Sequence, residues 1–278
     1  MRTIETIQEL KAWVKETKGS GETIGLVPTM GFLHEGHISL VNKAKAENGR
    51  VVMSIFVNPA QFGPNEDFDR YPRDLERDQR LAEHAGTDVI FAPSAEEMYP
   101  RESQISISAG ALADVLCGAK RPGHFDGVLK VVAKLFHLTE ADRAYFGQKD
   151  AQQLAIIESM VEDYNFPLSI RRGETVREED GLAKSSRNVY LSEAERREAP
   201  LLQQALQLGK QAAIEGRDPV SVVRQYLNGR ISGEIDYIEL LSYPALAKEI
   251  EGEAILAIAV QFEKARLIDN LIFHVKGN

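Results

Sequence analysis

The stretch Val27-Pro28-Thr29-Met30-Gly31-Phe32-Leu33-His34-Glu35-Gly36-His37 decides how this chain is read. An apolar run, Ile24, Leu26 and Val27, leads into it, and an amphipathic run, Ile38, Leu40, Val41 and Ala44, leads out. That order predicts strand, glycine-bearing loop, helix. Backbone N–H groups at a helix start lack intrahelical partners and the dipole there favours negative charge, so a phosphate chain suits the position. His34 and His37, three residues apart, share a helix face and reach the same anion. Capping of the helix by one histidine is the competing structural role. Zinc is disfavoured, because paired zinc histidines on a helix usually stand at i and i+4 and need a third ligand.

Working outward, the chain alternates strand-like and helical segments. Strands are expected at Ile24–Val27, Val51–Val57, Asp88–Pro93, Ala144–Phe146 and Pro167–Ile170. Helices are expected from Ile7 through Val14, with Thr3 followed by Thr6-Ile7 as the start, and over Ile38–Glu47, Asp74–His84, Gly127–Leu138 and Gln152–Asp163. The run Val51–Val57 is almost wholly apolar, the pattern of a strand covered on both faces. Such alternation defines an α/β class, parallel strands joined by helical crossovers. Ligands then bind beyond the carboxyl ends of the strands, in loops that begin at Pro28, Asn58, Pro93 and Gly147. After about residue 190 the pattern changes to a long helix, Glu193–Glu215, a shorter one, Pro219–Leu227, and strands at Ile235–Leu241, Ala254–Phe262 and Leu271–Val275. This predicts a smaller α+β domain at the C-terminal end. The division is expected at residues 1–178 and 179–278, inside the polar stretch Thr175–Asn188.

Three further clusters carry candidate chemistry. Asn58-Pro59-Ala60-Gln61-Phe62-Gly63 offers Gln61 as donor and acceptor for a small polar substrate, although Asn-Pro and Gly also make a plain turn. Gly147-Gln148-Lys149-Asp150-Ala151-Gln152-Gln153 places an ammonium, a carboxylate and, one turn on, the Gln153 amide at a helix start; a simple dipole-matched first turn fits it equally. Asp180–Asn188 sets Lys184 and Arg187 around Ser185 and Ser186 on a glycine-led loop, suited to closing over a pyrophosphate or to linking domains. The turn-rich Arg121–Gly127 walls a pocket or simply turns the chain. The acidic stretch Glu66–Asp69 with Asp74 and Asp78 alternates with Arg70, Arg73, Arg77 and Arg80 and is expected to be a solvated face.

The chain has 278 residues, 43% hydrophobic and 27% charged, enough for a large core in one or two domains. A net charge of -9 argues against a nucleic-acid partner. No run approaches the roughly 18 apolar residues of a membrane span. The residues after Met1 lack the apolar stretch of a secretory signal. The single cysteine, Cys117, fits a reducing cytoplasm.

Taken in order, Val27–His37, Val51–Gly63, Arg121–Lys134, Tyr145–Gln153 and Gly181–Leu191 resemble the pantoate–β-alanine ligase (pantothenate synthetase) family over essentially the whole chain. The His-x-Gly-His element also resembles the wider nucleotidyltransferase group that includes class I aminoacyl-tRNA synthetases. The resemblance implies a Rossmann-like first domain. It also implies a two-step reaction in which ATP and pantoate give pantoyl adenylate and pyrophosphate, and β-alanine then gives pantothenate and AMP. It implies Mg2+ travelling with ATP, a homodimer and a cytoplasmic location. On it, ATP-binding positions are Met30, Gly31, Phe32, Leu33, His34, Glu35, Gly36 and His37, then Gly147, Gln148, Lys149 and Asp150, then Val176, Lys184, Ser185, Ser186 and Arg187. His37 stands at the family's proton-donor position. Gln61 and Gln153 stand at the pantoate positions, Gln61 also at β-alanine. Catalytic roles are expected for His34, His37, Lys149, Ser185, Ser186 and Arg187, and no protein metal ligand is expected. Lys184 departs from relatives that carry methionine there. Nucleotidyl transfer to a phosphorylated small molecule and a non-catalytic nucleotide-binding module are the rival readings; tRNA aminoacylation suits the acidic chain poorly.

Overall fold

The computed structural model describes residues 1–64, 66 and 68–275. Its elements run β1 (Arg2–Ile4), α1 (Ile7–Gly19), β2 (Ile24–Thr29), α2 (Glu35–Glu47), β3 (Arg50–Ile55), α3 (Leu75–His84), β4 (Val89–Phe91) and α4 (Ala95–Met98). They continue with α5 (Leu116–Lys120), α6 (His124–Thr139), β5 (Arg143–Gly147), α7 (Ala151–Asp163), β6 (Ser169–Gly173), α8 (Glu193–Glu198), α9 (Leu201–Ile214), α10 (Pro219–Leu227), β7 (Glu234–Ser242), β8 (Glu253–Gln261) and β9 (Arg266–His274). The chain divides into two compact units. One takes Met1–Gly110, Arg121–Gln148 and Ile156–Glu174; the other takes Ala111–Lys120, Lys149–Ala155 and Thr175–Asn278.

The first unit holds a parallel sheet in the order β1-β4-β3-β2-β5-β6. The chain runs outward from β2 through β3 and β4, with β1 added at that edge, and from β5 to β6 on the other side, so the order reverses between β2 and β5, where open parallel sheets leave a crevice at the carboxyl edge. Alternate residues of a strand face opposite sides. Val27, Val51, Met53, Ile90 and Tyr145 therefore share a face, and they pack with Leu33, Leu40, Val41, Ala44 and Ala82 from the α2–α3 side. Leu26 and Val52 face the other way and are equally buried. The expected α/β architecture is the one observed.

The second unit holds the antiparallel sheet β7-β8-β9. Leu256, Ile258 and Val260 of β8 pack with Leu202, Ala205 and Leu206 of α9 and Val223 and Leu227 of α10. Ile255 and Ala257, on the opposite face, pack with Leu116, Ala151 and Ala155.

The structure corrects several expected boundaries. Helix 193–215 is two helices, α8 and α9, separated at Ala199–Pro200, because proline lacks the N–H that an uninterrupted helix needs. The strand expected at Pro167–Ile170 begins at Ser169 and extends over Arg171 and Arg172. The last strand begins at Arg266, five residues earlier than its apolar end suggested. β1 was not expected at all; three residues are too few for a periodic signal. No helix among the described residues is long and apolar enough to cross a membrane.

Candidate active site

Beyond the end of β2 the backbone turns sharply. Gly31 has φ +86° and Phe32 φ +48°, the left-handed region that side chains rarely adopt. Thr29 pins the start of the turn: its Oγ1 donates to the Ser54 carbonyl at 2.6 Å and accepts the Gly31 N–H at 3.1 Å. Asp78 on α3 holds the rest. Its carboxylate accepts the Phe32 N–H at 2.6 Å and the Leu33 N–H at 2.7 Å. Burial pushes the Asp78 carboxyl above its ordinary range, against the opposing pull of the Leu33 and Phe32 amides and Arg77. Asp78 is only 1% exposed, so the expectation of a solvated face is wrong for this residue. The signal available in sequence was its helical spacing to Ala82, four residues on, which is also buried. Asp67, another residue of that expected acidic face, lies outside the described residues.

The turn delivers His34 as the N-cap of α2. The Gly36 N–H donates to His34 Nδ1 at 3.1 Å, and the His34 N–H donates to His37 Nδ1 at 3.2 Å. Both Nδ1 atoms carry lone pairs in this arrangement, so on each neutral ring the proton sits on Nε2. The rings lie 4.1 Å apart, centroid to centroid. A side chain at Gly36 would place its Cβ 2.9 Å from His34 Cε1, which explains the glycine between the histidines. Of the two roles weighed for this motif, the structure shows the capping one: both histidines cap the helix through Nδ1.

After β3, Asn58 caps a single turn over Pro59–Gln61. Asn58 Nδ2 donates to Gln61 Oε1 at 2.9 Å and to the Gly127 carbonyl at 3.0 Å. Asn58 Oδ1 accepts the Tyr99 hydroxyl at 2.9 Å, and burial pushes that phenol up to about 12. Gln61 is itself buried. Its carbonyl accepts from His124 Nδ1 at 2.8 Å while Arg121 donates to His124 Nε2 at 3.0 Å, which fixes the His124 proton on Nδ1. Arg121 also grips Glu66 through two bonds, at 2.7 and 2.5 Å. Burial acts to raise the Glu66 carboxyl, but the Arg121 hydrogen bond and charge hold it below the ordinary range. The Arg121–Gly127 turn therefore supports Gln61. A cavity of about 310 Å³, lined by Met30, Phe32, Phe56, Val57, Phe68 and Pro93 among others, opens beside the carboxyl ends of β2, β3 and β4.

The remaining expected site residues follow β5. Gly147 closes β5, and Gln148, Lys149 and Asp150 form one tight helical turn. Lys149 Nζ lies 3.8 Å from Asp150 Oδ2, and the Lys149 carbonyl accepts from Asn270 Nδ2 at 2.8 Å. Gln153 lies half-buried in the first turn of α7.

Within the second unit, Lys149 and Ser185 line one water-sized cavity of about 10 Å³ with Leu182, Ala183, Asn188 and Asp269. Ser185 caps the turn Ser186–Tyr190, its Oγ accepting the Arg187 N–H at 3.3 Å. Ser186 is buried and Lys184 and Arg187 are half-buried. The preceding loop is tied down: the Lys184 N–H donates to the Val176 carbonyl at 2.9 Å, and Glu178 N–H to the Leu182 carbonyl at 2.8 Å. Arg177 forks onto buried Asp269 at 2.6 and 2.9 Å, and Arg196 reaches Glu178 and Asp180 at 2.6 Å each. Sequence reasoning did not single out Arg177 or Asp269, which pair across 92 residues, and it read Asn58 only as the start of a loop.

A doubly wound parallel sheet with a glycine-bent loop and paired imidazoles at its carboxyl edge defines an α/β protein of Rossmann-like type. The sequence profile described as pantoate-beta-alanine ligase matches residues 2–272, and the chain belongs to that family. It is 59% identical over 281 residues to the pantothenate synthetase of Lysinibacillus sphaericus, covering 99% of each chain. It is 54% identical to that of Bacillus subtilis, covering 99% of this chain and 98% of the other. A crystal structure of pantothenate synthetase from Thermus thermophilus is 46% identical with a TM-score of 0.92, covering 98% of this chain and 99% of that one. The pantoate-beta-alanine ligase of Francisella tularensis, solved in complex with β,γ-ATP and β-alanine, is 34% identical with a TM-score of 0.82, covering 98% and 97%. The chain is accordingly a ligase of pantothenate biosynthesis that condenses pantoate with β-alanine at the expense of ATP, through pantoyl adenylate, releasing pyrophosphate and AMP.

Proposed function

We propose the following division of labour for this reaction. In the first step a pantoate carboxylate oxygen bonds to the α-phosphorus of ATP, and the bond to the β-phosphate oxygen breaks. Two anions must approach one another, so the barrier falls chiefly through positioning and charge neutralisation. Met30 to Leu33, Glu35 and Gly36 shape a phosphate-binding loop. His34 and His37 donate from Nε2 at the α2 N-terminus, where the helix dipole adds to them. Gly147, Gln148, Asp150 and Val176 bind the nucleotide. Lys149, Lys184 and Arg187 offset the phosphate charge, and Ser185 and Ser186 add hydrogen bonds to the departing pyrophosphate. In the second step the β-alanine amine attacks the activated carbonyl, AMP leaves with the bonding electrons and His37 manages the proton.

Gln61 and Gln153 hold pantoate, Gln61 also meeting β-alanine. Because Asn58 already donates to Gln61 Oε1, the Gln61 amide offers substrate its N–H end, a donor suited to carboxylate and hydroxyl oxygens. Mg2+ enters with ATP as part of the nucleotide substrate. The enzyme works as a homodimer in the cytoplasm.

The observation that carries this reading is the reciprocal His34–His37 cap, which turns both Nε2–H groups into fixed donors at a helix mouth. Pyrophosphate release from ATP and pantoate tests it. One equivalent per active site is expected without β-alanine and continuous turnover with it. Turnover that needs no amine would instead favour simple nucleotidyl transfer.

A further inference from the structure

We propose that Asp78 is a positioning residue for the nucleotide step, acting through the backbone of Gly31–Leu33 rather than on substrate. This rests on the reading that the Met30–His37 loop takes the phosphates of ATP. Three observations converge. Both Asp78 oxygens are spent on consecutive loop amides, Phe32 at 2.6 Å and Leu33 at 2.7 Å. The loop they hold includes Phe32 at φ +48°, a conformation that residues with side chains rarely adopt, next to Gly31 at φ +86°. The carboxylate is also packed tightly into the bend: a Cβ at Gly31 would lie 3.0 Å from Asp78 Oδ2.

Arg77, the adjacent residue, is half-buried against the same bend. Its guanidinium lies 5.1 Å from the Phe32 ring centroid, and its NH1 is 3.5 Å from Asp78 Oδ1. A buried carboxylate is expensive unless its hydrogen bonds are strong, and charge-assisted bonds to N–H groups are of that kind. The carboxylate bonds the two residues immediately before the His34 cap. Loss of either bond lets Phe32 relax toward ordinary φ and swings the His34 amide away from His37 Nδ1. The cost then falls on the handling of ATP, while β-alanine binding, assigned to Gln61, keeps its own contacts.

The test pairs Asp78→Asn with Arg77→Gln in pantoate-dependent pyrophosphate release, and follows hydrogen exchange at the Phe32 and Leu33 amides. Asn keeps the volume of Asp but turns an NH2 group toward one of the two amide donors. Asp78→Asn is expected to lower kcat/KM for ATP by 10- to 100-fold, to leave the KM for β-alanine within twofold, and to speed exchange at Phe32 and Leu33 at least tenfold. Arg77→Gln, changed at the half-buried side chain that braces Asp78, is expected to raise the KM for ATP three- to tenfold.

A merely structural Asp78 gives less folded protein with unaltered constants per folded molecule, and that result overturns the proposal. Should Asp78→Asn not fold, unchanged ATP kinetics in Arg77→Gln, or fast exchange of Phe32 and Leu33 in the unmodified chain, overturns it equally. An unmodified chain that releases no pyrophosphate fails the loop's assignment to nucleotide. The exchange measurements then judge the clamp alone, and fast exchange there rejects it as well.

Discussion

His37 Nδ1 accepts the backbone N–H of His34 at 3.2 Å, so the second histidine of the pair closes the helix end that the first one opens. With the Gly36 amide on His34 Nδ1, both rings are locked into the Nε2–H tautomer. Nitrogen-15 spectra of imidazole-labelled protein at neutral pH should show both Nδ1 atoms unprotonated. A protonated Nδ1 on either neutral ring contradicts the capping geometry.

Gly36→Ala tests the cap from the other side. The added Cβ would sit 2.9 Å from His34 Cε1 and 3.0 Å from its Nδ1, so the ring must swing off the Gly36 amide. Losing an N-cap typically costs about 1 kcal/mol. A denaturant titration should show a loss of that order, and adenylate formation should slow, because a donor at the helix mouth has moved. Unchanged stability and rate would mean that the ring position is immaterial.

Much of this was legible in the sequence, for identifiable reasons. The order Ile24–Val27, glycine loop, Ile38–Glu47 announces β2, its loop and α2 because apolar periodicity and glycine are local signals. Pro219–Leu227 stands as read, with Asp218 capping it and proline in its first turn. What failed depends on distant partners or on one overriding residue. Pro200 separates α8 from α9 although the apolar period runs on across it. Asp269 and Asn270 hid the first half of β9, since polar residues argue against a buried strand until Arg177 and the Lys149 carbonyl are seen to satisfy them. Asp78 sits among arginines in the sequence, and only the fold shows its carboxylate turned inward onto two amides.

Acid should reveal the Glu66–Arg121 pair. Although burial raises it, the Glu66 carboxyl is held below the ordinary value by Arg121. An acid with a depressed folded pKa contributes stability that is fully present above its unfolded pKa and is lost as pH falls through the folded one. Glu66→Gln should therefore be less stable than the unaltered chain at pH 7, with the gap closing as pH drops below about 4.5, an ordinary carboxylate value. Thermal melts across that range check the sign; a gap that widens in acid would refute the pairing.

Removing one half of the Arg177–Asp269 fork should be severe. Asp269 is 4% exposed, and an unpaired buried carboxylate costs on the order of 3–5 kcal/mol. Arg177→Met should lower the melting temperature sharply, whereas Arg177→Met with Asp269→Leu should recover part of the loss. Equal stability of the single variant and the unaltered chain would show that the fork is unimportant.

The most direct measurement is single-turnover formation of pantoyl adenylate from ATP and pantoate, without β-alanine, in His37→Ala and Lys149→Ala. Each removes a donor assigned to the phosphate chain, and loss of one such donor slows a charge-developing step by roughly 100- to 1,000-fold. The account predicts adenylation slowed by about two orders of magnitude in both variants, with folding intact. Near-normal adenylation in both would contradict it.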